Sequence, residues 1–377
     1  MQVNGQAMRT LRPAPAGDAL IVIDQRLLPH RLQERALKSA RDVFVAIREM
    51  WVRGAPLIGV VAAYGLALQA RRDASDEALH NCAQLLRSSR PTAVNLAWAL
   101  DQMMVQLLAA PAAARAALAW SAAAALAEAD VAVNAAIGRH GLPLLQALFQ
   151  AKGQAQLLRK GGAGPVNVLT HCNAGWLATV DWGTATASIY QAHAAGLPVH
   201  VWVDETRPRN QGASLTAWEL GQAGVPHTVV ADNAGGHLMQ HGQVDIVIVG
   251  CDRVTARGDA CNKIGTYLKA LAAMDNGVPF YVAMPTSTLD LALSDGLREV
   301  PIEERSAREV THVTGRAASG ELVEVQLTPD GSSAANPAFD VTPARLVSGF
   351  ITEMGVVAAD ETALRALRGA NPGPNEP

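Results

Sequence analysis

The stretch VDIVIVGCDR at residues 244–253 is the feature that most limits what this chain can fold into. Its first half is a continuous apolar run rich in β-branched residues, which is typical of a strand buried on both faces of a parallel sheet. Gly250 ends the run, and Asp252 and Arg253 follow at the carboxyl end of the predicted strand. Ligands bind at that edge of an open α/β sheet. The two charged side chains are therefore expected either to pair with each other or to take part in chemistry.

Strands and helices alternate along the chain after Gly141. The predicted strands are short β-branched runs at residues 166–169, 199–203, 228–230, 245–249 and 280–283. The segments between them can each hold a crossover helix and lie at residues 184–195, 213–223, 233–241 and 262–274. Alternation at this spacing predicts an α/β fold with a doubly wound parallel sheet.

The first half of the chain has a mostly helical pattern after one predicted strand at Ala19–Asp24. Thr92 is a candidate N-cap, since it follows Pro91 at the start of an apolar helical pattern. The predicted helices cover residues 31–50, 55–70, 92–108 and the alanine-rich residues 111–136. The last of these is expected to be a packed helix rather than a linker, because larger apolar residues recur at helical spacing.

A domain boundary is predicted near residues 140–160, where Gly153 and the glycine-rich residues 160–164 are expected to form turns. The sequence thus predicts a mostly helical N-terminal domain, an α/β domain and a frayed C-terminal tail. Their expected ranges are 1–150, 151–368 and 369–377.

Composition and charge disfavour several functional classes. Of the 377 residues, 49% are hydrophobic and 17% are charged, which predicts a globular protein rather than a disordered one. The net charge of −3 gives no reason to expect nucleic acid or an anionic membrane as a partner. The sequence shows neither a signal segment nor an apolar run long enough to span a bilayer, so a cytoplasmic protein is expected.

The cysteine pattern indicates reduced thiols rather than a metal site. Cys82, Cys172, Cys251 and Cys261 are widely spaced, without a C-x-x-C pair or a histidine pair at metal-binding spacing. The sequence also lacks a G-x-G-x-x-G motif, a Walker-type loop and a serine nucleophile elbow. A zinc site, a redox enzyme and a nucleoside-triphosphate enzyme are therefore disfavoured.

Two candidate catalytic groups follow predicted strands. Cys172 comes just after the strand at 166–169 and is expected at the start of the next helix, where the local field can lower a thiol's pKa. Asp252 follows the strand at 245–249, and in an apolar pocket its raised pKa would let it carry a proton near neutrality. The alternatives are a buried structural cysteine and an Asp252–Arg253 ion pair. Because both residues follow strands of one sheet, they are expected to face one crevice.

Several further residues have the pattern of an anion or sugar site. Arg53, Gly54 and Ala55 precede a helix, where backbone N–H groups can approach an anion, and Arg90 lies beside another helix start. Gln211 lies in a charged loop after the strand at 199–203 and can hydrogen-bond a polyol.

Asn262 and Lys263 are predicted to begin a helix after Asp252 and to point into the same crevice, with Lys263 as the counter-charge to a phosphate. For each of these anion-site candidates the alternative is an ordinary structural role: a capped helix start, a solvated cation or an ion network.

Taken together, these stretches resemble the methylthioribose-1-phosphate isomerase family, within the superfamily that includes the regulatory subunits of translation initiation factor 2B. The resembling runs follow one another in order and are RGAPLIGVVAAYG (53–65), RPTAVNLAWAL (90–100), LTHCNAG (169–175), VDETRPRNQGASLTAWEL (203–220), CDRVTARGDACNKIGTYLKALA (251–272), FYVAMPTSTLD (280–290) and PIEERS (301–306). The sequence departs from the family's commoner pattern beside the site, at Trp176, Asn210, Cys251 and residues 233–236.

The resemblance implies a helical N-terminal domain, a Rossmann-like C-terminal domain and a homodimer. It also implies conversion of 5-methylthioribose 1-phosphate to 5-methylthioribulose 1-phosphate in methionine salvage, with neither a metal nor an organic cofactor. Carried over by motif, Asp252 is the expected proton donor and Cys172 the second catalytic group. The expected substrate-binding residues are Arg53, Gly54, Ala55, Arg90, Gln211, Asn262 and Lys263.

Two other functions stay open at this point. An isomerase of a related sugar 1-phosphate, such as ribose 1,5-bisphosphate, needs a second cationic clamp that the sequence does not reveal. A non-catalytic regulatory subunit is not expected to keep both Cys172 and Asp252 in intact motifs. The sequence also leaves open which of these two residues acts at which step, and whether hydrogen moves by an enediol proton transfer or a hydride shift.

Overall fold

The computed structural model describes residues 1–90, 93–157 and 164–369. Its helices are α1 (Ala40–Arg48), α2 (Ala55–Arg72), α3 (Asp76–Arg87), α4 (Val94–Ala109), α5 (Ala112–Leu157), α6 (Ala187–Ala194), α7 (Ala217–Gln222), α8 (Ala234–Gln240), α9 (Thr266–Asp275), α10 (Gly296–Glu299), α11 (Arg308–Thr311) and α12 (Glu361–Gly369). Short turns of 3-10 helix lie at Gln25–Leu27, Trp176–Ala178, Thr286–Thr288 and Ala344–Leu346, and a π-helical turn lies at Gly212–Thr216.

The strands are β1 (Gln2–Val3), β2 (Gln6–Ala7), β3 (Leu11–Pro13), β4 (Leu20–Ile23), β5 (Glu34–Leu37), β6 (Val166–Thr170), β7 (Val199–Asp204), β8 (His227–Val230), β9 (Ile246–Val249), β10 (Arg253–Thr255), β11 (Ala260–Lys263), β12 (Phe280–Ala283), β13 (Leu289–Asp290), β14 (His312–Arg316), β15 (Leu322–Gln326), β16 (Phe339–Thr342), β17 (Gly349–Thr352) and β18 (Gly355–Val357).

Helix α2 is the centre of the N-terminal helical region. It is apolar on nearly all sides and buried along most of its length, as a helix without a polar face must be. It packs against α1, α3, α4 and α5. Gly59 allows α4 to approach closely, because a Cβ at that position would lie 2.8 Å from the Asn95 carbonyl oxygen.

The predicted strand at Ala19–Asp24 is confirmed as β4. The helix predicted over residues 31–50 is wrong in its first half, where β5 pairs antiparallel with β4 and the helix begins only at Ala40. The pairing joins Leu20 to Leu37, so a long-range contact overrides the local helical pattern.

The central sheet has seven strands in the order β18-β17-β12-β9-β6-β7-β8. All its neighbouring pairs are parallel except β17–β18. Strand β9 comes from the apolar stretch at residues 244–253. It lies in the middle of the sheet and is buried along its whole length. The five predicted strands are confirmed, and the fold is mixed α/β with a large, mainly parallel sheet and a helical N-terminal region.

A smaller sheet, in the order β13-β10-β11-β16, lies beyond the end of β9. It corrects one sequence prediction: Asn262 and Lys263 do not begin a helix but end strand β11, and α9 begins at Thr266. Strand β11 pairs antiparallel with β16, matching Cys261 to Val341 about 80 residues further along the chain. Such a distant partner leaves no mark in the local sequence pattern.

Helix α5 connects the two halves of the molecule. It contacts α2 and α4 of the helical N-terminal region and also α6 and strand β17 of the central sheet. Gly153, predicted as a turn, lies inside this helix, and so does the predicted boundary at residues 150 and 151. The division into two domains stays a prediction. The predicted turn at 160–163, Pro91, Thr92 and residues 370–377 of the predicted tail lie outside the described residues.

By length and composition, α5 is also apolar enough to cross a membrane over Ala112–Gln154, and 22% of its most apolar window is buried. This finding goes against the expectation that the sequence holds no such segment. Alanine carries most of the apolar character, so no run of large apolar side chains stands out. The length and composition of a single helix are weak evidence for a membrane span.

Candidate active site

One cavity lies at the carboxyl ends of β6, β7 and β9 and faces the N-terminus of α2. Its volume is about 660 Å³, part of it open to solvent. All nine residues predicted from the sequence line it: Arg53, Gly54, Ala55, Arg90, Cys172, Gln211, Asp252, Asn262 and Lys263. The predicted convergence of the thiol and the carboxyl on one crevice is therefore found in the structure, while the role of each residue stays a proposal.

Asp252 lies between β9 and β10, half-buried, with its backbone N–H donating to the Cys261 carbonyl oxygen at 2.9 Å. The alternative of an ion pair with Arg253 does not hold in the described part of the chain. Arg253 instead reaches Asp290 on β13, with Nη1 and Oδ2 3.2 Å apart. The Asp252 carboxyl is therefore not paired with Arg253 and lines the cavity.

The electrostatic surroundings of Asp252 favour a group that can hold a proton. Burial raises the pKa of the Asp252 carboxyl above its usual range, and the negative charge of Glu303 adds to this shift. The positive charges of Lys263, Arg90 and Arg53 act in the opposite direction. A carboxyl with a raised pKa, placed beside an anion-binding group of cations, has the properties of a general acid.

Cys172 is 8% exposed and lies in the left-handed backbone region, with φ of 64°. Its N–H donates to Thr206 Oγ1 at 2.8 Å, and its carbonyl oxygen accepts from Thr216 Oγ1 at 2.7 Å. The thiol donates to Gln211 Oε1 at 3.6 Å. The predicted position at the start of a helix is wrong, because only one 3-10 turn at Trp176–Ala178 follows before α6. Hydrogen bonds from two neighbouring elements hold the residue instead.

Arg53, Gly54 and Ala55 bring the start of α2 to the cavity. Arg53 is 7% exposed, and Nη2 donates to the Asn173 carbonyl oxygen at 2.6 Å while Nη1 donates to Asn173 Oδ1. Gly54 is the N-cap of α2, and Ala55 is its first helical residue. The free N–H groups and the positive end of a helix favour an anion at this position.

Glycine is required at position 54 for two reasons. Its φ of 101° is unfavourable for any residue with a Cβ, and a Cβ would lie 2.5 Å from the Ala178 carbonyl oxygen. We expect Gly54→Ala to reduce the free energy of unfolding by about 2–5 kcal/mol and to raise the KM for a phosphorylated substrate. Chemical denaturation and steady-state kinetics measure both effects.

The matched control is Gly236→Ala on α8, where the added Cβ would meet only Ala272 Cβ at an ordinary 3.6 Å. This variant should change stability by less than about 1 kcal/mol. Equal stability of Gly54→Ala and the unaltered chain would contradict the steric account.

Lys263 and Asn262 reach the cavity from the end of β11. Lys263 Nζ donates to the Ala338 carbonyl oxygen at 2.9 Å and lies 4.5 Å from the centroid of the Phe339 ring. Burial lowers the pKa of Lys263, and the negative charges of Cys172 and Asp252 oppose that shift. Asn262 is 6% exposed and donates through Nδ2 to Thr266 Oγ1 at 3.0 Å.

Arg90 is tied to the segment that precedes α11. Its Nη2 lies 3.3 Å from Glu303 Oε2, and Arg305 Nη1 donates to the other oxygen of Glu303 at 2.8 Å. Arg90 Nε is buried and has no hydrogen-bond partner among the described residues. A guanidinium held on one side by a shared carboxylate keeps donor capacity for an additional anion.

A second cavity of about 1130 Å³ adjoins the first and shares Met50, Arg53 and Gln211 with it. Its lining includes the buried apolar side chains of Leu28 and Leu215.

Three arginines of the second cavity already have carboxylate partners. Arg26 pairs with Asp24 at 2.9 Å, Arg209 with Glu309 at 2.8 Å and Arg308 with Glu324 at 2.6 Å. Arg209, in the loop that carries Gln211, thus belongs to an ion pair. Arg207 of the same loop lies outside the cavity lining and donates to the carbonyl oxygens of Pro208 and Val310.

Glu219 on α7 is a buried group behind the site that sequence patterns do not reveal. It accepts from Asn173 Nδ2 at 2.9 Å, the Trp176 N–H at 3.0 Å, the Leu177 N–H at 2.8 Å and the Tyr190 hydroxyl at 3.0 Å. Glu219 therefore organises the loop that carries Cys172 and, through Asn173, fixes Arg53. A charged residue within an apolar helical pattern is the only signal that points to it.

Burial raises the pKa of Glu219 from its ordinary 4.5 to about 7, against the opposing effect of its hydrogen bonds. Between these two pH values the folded chain keeps a proton that the unfolded chain releases, so this group makes stability fall as the pH rises. We expect Glu219→Gln to remove this contribution, which reaches about 1.4 kcal/mol per pH unit. Denaturation between pH 5 and 7 measures the slope.

The control for this slope is Glu77→Gln, at an exposed glutamate in the first turn of α3. Its slope should match that of the unaltered chain. A Glu219→Gln variant that keeps the full pH dependence would show that another group causes it.

One group of side chains in the described residues has the spacing of a metal site: single ligand atoms of His171, Asp204 and Asp232 lie within 4.8 Å of one another. Those atoms are already hydrogen-bonded to each other or to the backbone. His171 Nδ1 is bonded to Asp204 Oδ2, and Asp232 accepts the backbone N–H groups of Thr206 and Arg207, each at 2.7 Å. The Lys269 ammonium lies 3.3 Å from Asp204 Oδ2. The group is an ion network of the protein's own charges.

Comparisons with known proteins show the family of this chain. The Initiation factor 2 subunit family matches residues 51–359. The methylthioribose-1-phosphate isomerase of Rhodospirillum rubrum is 61% identical over 97% of this chain and 93% of its own length. That of Methylorubrum populi is 62% identical over 97% of this chain and 98% of its own length.

Solved structures give the same result. The 5-methylthioribose 1-phosphate isomerase of Pyrococcus horikoshii superposes with a TM-score of 0.81 at 37% identity and covers 97% of both chains. The translation initiation factor eIF-2B subunit delta of A. fulgidus has a TM-score of 0.76 at 35% identity, over 95% of this chain and 100% of its own. The chain belongs to the methylthioribose-1-phosphate isomerases, within the Initiation factor 2 subunit family.

Proposed function

We propose that this chain converts 5-methylthioribose 1-phosphate to 5-methylthioribulose 1-phosphate in methionine salvage, with Asp252 and Cys172 as its catalytic groups. The observation that carries the proposal is the convergence of a half-buried carboxyl, a thiol and three cations on one cavity at the start of α2. The identity to isomerases of this name over nearly the full chain supports it.

The substrate phosphate is placed at the N-terminus of α2. There the Gly54 and Ala55 backbone and the positive charges of Arg53 and Lys263 can neutralise its two charges. Arg90 adds a third cation at the edge of the cavity. Gln211 and Asn262 are placed against the sugar hydroxyls, which need donors and acceptors rather than charge. We infer no metal and no organic cofactor in this arrangement.

The reaction begins with protonation of the ring oxygen, because the phosphate on C1 prevents spontaneous ring opening. Asp252 donates its proton to the ring oxygen as the bond between that oxygen and C1 breaks. A hydrogen then moves from C2 to C1, and the C2 hydroxyl loses its proton as the ketone forms. Cys172 is the second group that exchanges a proton with the substrate. The raised pKa of Asp252 suits the first step, since a carboxylic acid must be protonated to act there.

The two possible routes for the hydrogen have different consequences in heavy water. An enediol proton transfer incorporates solvent deuterium at C1, whereas a direct hydride shift carries the C2 hydrogen with it. The same cavity serves both routes, because each needs a proton donor, an anion clamp and limited access of water. Proton NMR of the product formed in heavy water distinguishes them.

The adjoining cavity favours an uncharged substrate tail. Leu28, Met50 and Leu215 provide apolar surface there, and they come from loops and the π-helical turn rather than from the alanine-rich helices. Arg26, Arg209 and Arg308 of its lining all face carboxylates, so these three side chains do not supply the cationic clamp that a second phosphate needs. Ribose 1,5-bisphosphate therefore fits this cavity less well.

The experiment compares turnover of methylthioribose 1-phosphate and ribose 1,5-bisphosphate by the purified chain, followed by phosphorus NMR. We expect kcat/KM to be about 100-fold or more higher for the methylthio sugar, which corresponds to roughly 3 kcal/mol of discrimination. Preference for the bisphosphate would overturn the substrate assignment. No turnover or binding of either sugar phosphate, together with a stable complex with a GTPase-exchange partner, would favour a regulatory subunit instead.

Four finer expectations belong to the same proposal: a Rossmann-like doubly wound sheet, two domains that meet near residue 150, a homodimer and a cytoplasmic location. The strand order supports the first, since the chain runs outward from β6 through β7 to β8 and separately through β9 and β12. The free thiols of all four cysteines, each within the described residues, support a reducing compartment. Light scattering of the purified chain tests the homodimer.

A further inference from the structure

His171 is a buried histidine of the cavity wall whose ring nitrogens both face oxygen acceptors. Nδ1 lies 2.8 Å from Asp204 Oδ2, and Nε2 lies 2.8 Å from the Ile264 carbonyl oxygen. The residue is 1% exposed and lies directly before Cys172. A neutral imidazole has one donor and one acceptor nitrogen. Since a carbonyl oxygen can only accept, the Nε2 position must carry a hydrogen.

The second proton then lies between Nδ1 and Asp204, and the charge of Lys269 determines which of these two groups carries it. The Lys269 ammonium, 4% exposed, lies 3.3 Å from the same Asp204 oxygen and also donates to the Asp232 carbonyl oxygen. A neighbouring cation favours the ionised carboxylate. An ionised Asp204 requires the hydrogen on Nδ1, which makes the ring an imidazolium ion. Both cations approach the carboxylate at Oδ2, while Oδ1 is buried without a hydrogen-bond partner in the described residues.

The other charged groups around the ring come from separate elements. Asp232 follows β8, and its carboxylate is satisfied by backbone N–H groups of the loop after β7. Asp340 on β16 accepts the N–H groups of Gly265 and Tyr267 at 2.7 and 3.2 Å. Burial raises the pKa of Asp340, and the charges of His171 and Lys269 oppose that shift. His171 and Lys269 are thus the two cations of this network, and the carboxylates of Asp232 and Asp340 already accept hydrogen bonds from backbone N–H groups.

The ring cannot exchange protons with a substrate, because both nitrogens are occupied. It is also clamped in place: at Gly265, where φ is 101°, a Cβ would lie 3.0 Å from His171 Cε1. Such a ring can act on a substrate in the cavity only through the electric field of its positive charge. A fixed charge in a site shielded from water is a strong means of stabilising charge that develops during a reaction.

We propose that His171 is held as an imidazolium ion by Asp204 and Ile264, and that its fixed positive charge stabilises the negative charge developing on the substrate's C2 oxygen. This inference rests on the proposed function and assigns an electrostatic role in it to His171. It distinguishes His171 from Asp252 and Cys172, which exchange protons with the substrate in the proposed mechanism.

The direct experiment is nitrogen NMR of the full chain labelled at histidine with ¹⁵N, at pH 7.5. The ring of His171 is identified by the contact of its Cε1 proton with Gly265, so no variant is needed. We expect both ring nitrogens at the shifts of protonated nitrogens. An unprotonated Nδ1, which would place the proton on Asp204, would overturn the inference.

Kinetics of His171→Gln provide the second measurement, with His241→Gln, at an exposed histidine after α8, as the control. We expect kcat to fall about 100-fold while KM changes less than about 3-fold, because a fixed charge acts in the transition state rather than on the bound phosphate. An unchanged kcat would contradict the inference. If the unaltered chain turns over no sugar phosphate, the proposed function fails, and the electrostatic role proposed for His171 fails with it, whereas the NMR result still decides the state of the ring.

Discussion

Asp252→Asn is expected to leave a folded protein that binds its substrate and hardly turns it over. The amide has the shape of the carboxyl but no acidic proton to transfer to the ring oxygen, so kcat should fall by about 10²–10⁴-fold, the usual contribution of a general acid. KM should change only a few-fold, because the cations Arg53 and Lys263 that hold the phosphate are untouched. Steady-state kinetics with methylthioribose 1-phosphate, together with a thermal unfolding curve, measure both effects.

The matched control for this variant is Asp290→Asn. Asp290 is the carboxylate that pairs with Arg253, so it represents the purely structural role first considered for Asp252. Its replacement should reduce stability slightly and kcat by less than about 3-fold, as expected for a partly exposed ion pair. If the two variants lose activity equally, the assignment of Asp252 as the acid is wrong.

Cys172→Ala is expected to have the second largest effect. The thiol lies in the same cavity and donates to Gln211 Oε1. We expect kcat to fall by about 10²–10³-fold, with the fold intact, because the loop is fixed through the backbone of Cys172 rather than through its side chain. Kinetics and circular dichroism of the purified variant measure both quantities.

Cys82→Ala serves as the control, since Cys82 is a buried cysteine of α3 in the N-terminal core. It should lower stability by about 1 kcal/mol or less and leave kcat near that of the unaltered chain. Near-normal turnover by Cys172→Ala would make the thiol a structural residue, which is the alternative that its burial alone allows.

The parallel strands and the convergence of the candidate residues on one cavity could be predicted from the sequence for one physical reason. Buried parallel strands are continuous β-branched runs, and their carboxyl ends meet at one edge, so Cys172 and Asp252 could be placed in one crevice without coordinates. Helix starts next to arginine likewise marked Arg53 as an anion-binding candidate.

What the sequence could not predict depends on partners that are distant in the chain. The sequence pattern predicts a helix from residue 262, whereas Asn262 and Lys263 end strand β11, because its partner β16 lies far downstream. Cys172 was expected at a helix start, whereas side chains of Thr206 and Thr216 hold it. Glu219 and the network around His171 each join several elements, and no local spacing links such residues. Long-range pairing of single polar side chains is the part of a site that periodicity does not encode.

The crystal structure of Asp252→Asn with methylthioribose 1-phosphate bound is the most direct test of the site. We expect the phosphate at the start of α2, in contact with the Gly54–Ala55 backbone and Arg53. The ring oxygen should lie next to residue 252, and the Cys172 thiol should contact the same sugar. A sugar bound elsewhere on the chain, or a phosphate turned away from α2 with the ring oxygen remote from residue 252, would contradict this expectation.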